Sequence, residues 1–203
     1  MSTTPAASAQ STVRLPTPQV APELALESTL RRRAGAREFR PDPIPLREVS
    51  SLLWAGFGLN RAGHWGRTAP CPCWCGEITV VAVLPGGAYR YRPHEHCMDL
   101  ASPADLRMLA GGGGDAGAAP LTLLYVIGME PDPEDDEEHG RPAGADIGCI
   151  VENVSLYCTG AGLASVLRGV ADPQPLAEAL GLEGHQRIAL AQSIGYLRGA
   201  PRH

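Results

Sequence analysis

Lysine is absent from this chain of 203 residues: all 17 basic side chains are arginine. That excludes a Schiff-base lysine, a P-loop lysine and a lysine general base, and leaves the planar guanidinium as the cation for anion recognition. A broad basic surface is also missing. The net charge is −5, and seven of the 22 carboxylates lie between Glu130 and Glu138, which leaves 17 arginines against 15 acids elsewhere. Nucleic acid is therefore not an expected partner. No run approaches the ~18 uninterrupted apolar residues of a membrane span, and no charged n-region leads into an apolar h-region. Neither a membrane partner nor a signal peptide is expected. The six cysteines are too few and too clustered for a secreted disulfide scaffold. The expected location is cytoplasmic, with reduced thiols. A Ser nucleophile elbow, a zincin helix and a paired-carboxylate pattern are all lacking.

What is present reads as one globular domain, from about residue 21 to 203, behind an arm. The hydrophobic content is 44%, and the length suffices for a single core. Met1 to Val20, rich in Ser, Thr, Pro, Ala and Gln, reads as a disordered or extended arm. A first helix is expected from Pro22-Glu23 to just before Gly35, and a second after Pro45, with Val49, Leu52, Leu53, Gly56 and Phe57 on one face. Ile78–Leu84 and Ala88–Tyr91 read as strands joined by a Pro-Gly-Gly turn. Ser102-Pro103 marks a helix start, and Gly111–Gly114 ends that helix as a connector.

Leu121–Ile127 reads as a buried strand, and the acidic stretch Glu130–Glu138 as a solvated loop. The longest helix is expected over about Gly144 to Gly162, with Ile147, Ile150, Val151, Val154, Cys158 and Ala161 as its apolar stripe. A strand at Ala164–Leu167, a short helix capped by Asp172 and a strand at Arg187–Ile194 complete an α+β or α/β domain.

Two clusters carry chemistry. Arg31, Arg32 and Arg33 close the first helix and Arg37 follows. Such arginines form a fork-shaped site for phosphate, or simply complement the negative end of the helix dipole. In an extended segment, Cys71, Cys73 and Cys75 project to one face. With His94 and His96 some twenty residues on, they suit zinc or Cu(I); they also suit redox-active thiols or an inert pocket wall. Trp54 and Phe57 are expected in the core or a dimer interface. Trp65 and Trp74 suit stacking on a ring. Glu152 and Asn153 fall in the middle of the longest helix, and His64 in a loop.

Four segments in order resemble the FMN-dependent nitroreductases, particularly the small single-domain members. They are LRRRAGAREF with PDPIPLREVSSLLWAGFGLNR, RTAP with EITVVAVLPGGAYRYRP, ADIGCIVENVSLYCTGAGLASVLRG, and ALGLEGHQRIALAQSIGYLR. The resemblance spans roughly residues 22–198. It implies a nitroreductase-like α+β fold, a mainly antiparallel mixed sheet flanked by helices, in an interlocked homodimer with FMN in each interface pocket. It also implies ping-pong transfer of hydride from NADH or NADPH to a small organic acceptor, with chemistry belonging to the cofactor and no catalytic acid or base required.

By position, the resemblance gives Arg33 and Arg37 the FMN phosphate, with Gly35 where the family often has Ser and Arg198 completing the site. Arg168 and Gly169 map to the loop whose backbone amides lie near the flavin ring. The segment after Pro70 departs from the family. Where Ser-Ala/Ser-x-Asn is usual, this chain has Cys71, Pro72, Cys73 and Trp74, followed by Cys75 and Gly76. Each lost hydrogen bond to a buried polar group is worth ~1–3 kcal/mol, and Pro72 removes a backbone donor. The alternative reading is therefore a flavin-free protein of the same fold that binds a metal or ligand through Cys71, Cys73, Cys75, His94 and His96. A role in a biosynthetic pathway, such as azoline-type dehydrogenation, is a further variant of the flavin reading.

Overall fold

Strands β2 (Ile78–Leu84) and β5 (Leu121–Gly128) are apolar almost throughout because both faces of their sheet are covered. Side chains alternate along them, so Val80, Ala82, Leu123 and Tyr125 enter one core while Val81, Val83, Leu124 and Val126 enter another. These relationships come from a computed structural model that describes residues 11–19, 25–61, 66–70, 78–112, 119–128 and 133–199, with only the backbone described over 133–142.

The other strands are β1 (Thr12–Arg14), β3 (Gly87–Arg92), β4 (Cys97–Ser102), β6 (Ala164–Arg168) and β7 (Gln186–Gly195). Seven strands form one sheet in the order β1-β4-β3-β2-β5-β7-β6, with every ladder antiparallel. Helices α2 (Leu46–Phe57) and α4 (Pro133–Gly160) cover one face. The short helices α3 (Arg107–Ala110) and α5 (Gln174–Leu180) cover the other.

Helix α2 starts directly after Pro45 and buries Val49, Leu52, Leu53, Gly56 and Phe57, the face that its periodicity marks. It crosses α4 closely: a Cβ on Gly56 would lie 2.7 Å from Val154 Cγ2. Glycine is required there by the approach of the two helices. The Tyr157 hydroxyl of α4 donates to Glu48 Oε2 of α2 at 2.9 Å, and burial helps push its pKa up to about 12. The stripe Ile147, Ile150, Val151, Val154 and Cys158 is buried as its spacing requires.

Several expectations are corrected. Helix α1 (Leu26–Arg32) begins after Ala25, whose backbone is extended; Pro22 and Glu23, where its start is expected, lie outside the described residues. Ser102 is the last residue of β4 and not a helix cap; the helix that follows starts at Arg107. Strand β4 carries a half-buried Asp99 and lacks a clean apolar alternation, which hides it from pattern reading. Within the stretch read as an arm, Thr12–Arg14 pair with Cys97–Asp99. The acidic stretch is not a loop from Pro133 onward, because α4 already runs there. Gly140 and Pro142 resemble breakers, yet proline suits the first helical position and acids suit a helix N-terminus, and Pro133 and Glu134 open α4 in that way. Among the described residues no helix is long and apolar enough to cross a membrane.

Candidate functional site

The segment after α1 returns to the sheet, where it meets first β6 and then the residues that follow β7. Gly35 bridges Ser165 of β6 in parallel, and the Ala36 N–H donates to the Ser165 carbonyl at 3.1 Å. Phe39, fully buried, bridges Leu197 beyond β7, while Arg40 N–H donates to the Tyr196 carbonyl at 2.8 Å. The Arg198 N–H donates to the Glu38 carbonyl at 3.1 Å. Residues from the two ends of the domain are thereby fixed side by side.

Between them opens a cavity of about 1110 Å³ whose walls include Arg33, Gly35, Arg37, Thr159, Ala164 and Arg198. Six arginines and one glutamate line it, so its field is strongly positive. Much of that charge is held loosely. Arg33 Nε lies 3.7 Å from Glu152 Oε1, with both side chains about half exposed, at 44% and 50%. Arg31 pairs with Glu27 on the solvent side, and Arg40 pairs with Asp42 while lying over the Tyr196 ring at 5.1 Å. Among the described residues, Arg32 and Arg37 have no ion-pair partner. A Cβ on Gly35 would meet nothing within 4 Å, so the wall there is open. The arrangement can take an anion with several oxygens, since each guanidinium offers paired planar donors.

Of the residues singled out in the sequence, Arg33, Gly35, Arg37 and Arg198 come together in this cavity. Arg168 and Gly169, at the end of β6, do not line it. The Arg168 guanidinium donates to Ser193 Oγ, and burial lowers its pKa. Gly169 is exposed. Cys71, Pro72, Cys73, Trp74, Cys75, His64 and Trp65 lie outside the described residues.

The two histidines of the alternative metal set are placed. His94 is exposed on the β3–β4 turn. His96 is engaged at both ring nitrogens: Nδ1 is 3.0 Å from the Tyr91 hydroxyl, and Nε2 is 2.7 Å from Ser50 Oγ and 3.1 Å from the Pro16 carbonyl. Among the described residues no group of three or more His, Cys, Asp or Glu could hold a metal ion. Trp54 donates its indole N–H to the Leu59 carbonyl at 2.9 Å, and Phe57 is buried beneath the Arg67 guanidinium at 4.1 Å. Arg67, 8% exposed, also donates to the Phe57 carbonyl at the C-terminal end of α2; burial lowers its pKa.

Sequence reading passed over Gln192, a fully buried amide in the apolar strand RIALAQSI, and Thr159 in the cavity wall. A glutamine within such a run was the available signal, because a buried polar side chain requires partners.

Comparison with known proteins places the fold. The model of the nitroreductase family matches residues 30–196. The chain belongs to the nitroreductase family. A Methanocaldococcus jannaschii protein named as a nitroreductase is 28% identical to it over 158 residues, which cover 72% of this chain and 79% of that one. A crystal structure of a Ralstonia eutropha JMP134 protein, also named as a nitroreductase, is 38% identical. It covers 93% of this chain and 90% of its own, with a TM-score of 0.80. A chain of the E. coli microcin synthetase complex shares the fold at 18% identity, with a TM-score of 0.69 over 83% of this chain and 70% of that one. The antiparallel sheet with helices on both faces is thus a nitroreductase fold; the matched region includes Arg33, Gly35 and Arg37 of the cavity and ends two residues before Arg198.

Proposed function

We propose that this nitroreductase is an FMN-dependent oxidoreductase that passes hydride from NADH or NADPH to a small organic acceptor, working as a homodimer. The observation that carries the reading is the convergence of Arg33, Arg37 and Arg198 on one cavity, with Arg37 lacking an ion-pair partner among the described residues. The residues present fit the phosphate end of FMN: the guanidiniums supply charge-assisted donors, and the open wall at Gly35 leaves room for the group. When bound, FMN supplies the acceptance and release of hydride.

The chain's own part is binding and orientation. Arg37 and Arg198 grip the phosphate from two sides, and Arg33 exchanges its loose contact with Glu152 for the ligand. At the end of β6, Ser193 anchors the Arg168 guanidinium, which steadies the backbone N–H groups of Arg168 and Gly169 for the flavin ring. The cysteine loop, Cys71 to Trp74, is read as bordering that ring. Leu26 and Leu30, 65% and 53% exposed one turn apart on α1 beside the cavity, give a second copy an apolar surface to cover.

The test is the purified full-length protein. Flavin released on denaturation should be FMN at one per chain, and anaerobic NADH or NADPH should bleach the bound flavin, with colour returning when a nitroaromatic or quinone acceptor is added. Protein that binds no added FMN contradicts the proposal.

A further inference from the structure

Gln192, in β7, has no solvent exposure, so it touches no ligand. Its carboxamide nonetheless joins four elements. Oε1 accepts the Tyr125 hydroxyl of β5. The two Nε2 protons are shared among three acceptors, the Val151 carbonyl at 3.3 Å and Ser155 Oγ at 3.1 Å on α4 and Ser165 Oγ at 3.4 Å on β6. The polar atoms of the amide are all used, which gives these elements one preferred spacing in a setting where an unmet partner is costly.

Two of these elements, α4 and β6, also contribute to the wall of the arginine cavity, through Thr159 and Ala164. Helix α4 carries Glu152 beside Arg33, and Thr159 in the wall; Thr159 Oγ1 donates to the carbonyl of Ser155, the residue that Gln192 holds. On β6, Ser165 contacts Gln192 through its hydroxyl and receives the Ala36 N–H through its carbonyl, beside the Gly35 bridge. One buried amide thus stands one residue removed from Ala36, through Ser165, and from Thr159 in the cavity wall, through Ser155.

We propose that Gln192 is a positioning residue for the anion site. It fixes the separation of α4 from β6 and so the place from which Arg33 and Arg37 reach their ligand. The inference rests on reading the cavity as the flavin phosphate site. A glutamine that merely fills and stabilises the core would affect all ligands alike; one that places the arginines acts on the phosphate alone.

The experiment compares FMN with riboflavin, which lacks the phosphate, by quenching of flavin fluorescence on the full-length protein freed of bound flavin. Gln192→Met keeps the bulk and removes the hydrogen bonds. Support groups displaced from their geometry commonly cost tenfold or more, so the Kd for FMN is expected to rise by about tenfold with that for riboflavin unchanged. Ser165→Ala removes one hydroxyl and is expected to give a smaller shift in the same direction; it stands in if Gln192→Met does not fold. A Kd ratio between the two flavins that stays at the wild-type value in a folded variant overturns the positioning role alone. A wild-type protein that binds FMN no better than riboflavin overturns the phosphate site, and the inference with it.

Discussion

The Arg198 N–H donates to the Glu38 carbonyl at 3.1 Å, so the segment that follows the last strand is tied to the one that follows the first helix. The tie is made through backbone, and it brings Arg37 and Arg198 to one cavity whatever their side chains then do. A bridge between Phe39 and Leu197 one step further on keeps the register. The positive field of the cavity is therefore a property of the fold.

Arg198→Ala leaves that backbone pairing intact and removes only the guanidinium. Hydrogen bonds to charged groups contribute about 1.5–3 kcal/mol, which corresponds to weakening of FMN binding by about 10- to 100-fold. Thermal stability of the flavin-free protein should change little. A fluorescence titration checks this, and an unchanged Kd contradicts it.

Glu152→Gln should act in the opposite direction. The carboxylate lies 3.7 Å from Arg33 Nε in a half-exposed pair. Such pairs are worth about 0–1 kcal/mol, so releasing Arg33 should tighten FMN binding by no more than about fivefold at low salt. The gain should fade as salt rises. Weaker binding in the variant would mean that Glu152 orients Arg33 for the ligand.

Gly35→Ser tests the open wall. Nothing lies within 4 Å of a Cβ at that position, so the side chain enters free space beside the arginines. Restricting the unfolded chain should raise stability by about 0.5 kcal/mol, and the added hydroxyl should hold or improve FMN affinity. A fall in both Tm and affinity would show that the segment cannot carry a side chain.

Much of the fold is legible in the chain, for identifiable reasons. Ile78–Leu84 and Leu121–Ile127 are continuous apolar runs, and Pro45 marks the start of α2 directly. Other parts depend on contacts that local pattern does not carry. Three residues, Thr12–Arg14, become a strand only because β4 offers an edge, and β4 itself is disguised by Asp99. Gly140 and Pro142 conceal the first turns of α4.

The candidate site divides in the same way. The arginine spacing alone leaves a dipole role for Arg31–Arg33 and a phosphate role both open, and it is the backbone ties of residues 35–40 to Ser165 and to Tyr196–Arg198 that bring Arg198 to Arg33 and Arg37. Gln192 was passed over because its partners come from three other elements.

His96 provides a pH dependence unrelated to flavin. The Ser50 hydroxyl donates to the Pro16 carbonyl, so Nε2 carries the ring proton and Nδ1 accepts from Tyr91. Burial lowers the pKa of the ring below the ordinary 6.5, despite the Pro16 contact that opposes this. For a depressed pKa the unfolded state binds the proton more readily. The contribution to stability is therefore full above pH 6.5 and is lost as pH falls through the folded value. The Tm should drop between pH 7.5 and 5, and His96→Asn should flatten part of that drop; asparagine tolerates the positive φ of 47° at this position. An identical pH profile in the variant would remove His96 from the account.

The most direct measurement of the central claim is flavin occupancy in Arg33→Ala/Arg37→Ala, purified beside the wild-type protein and scored as FMN released per chain. The account predicts wild-type occupancy near one, and a folded double variant that is nearly colourless and regains little flavin when FMN is added. A folded double variant that keeps its full complement of FMN would show that the phosphate is held elsewhere in the molecule.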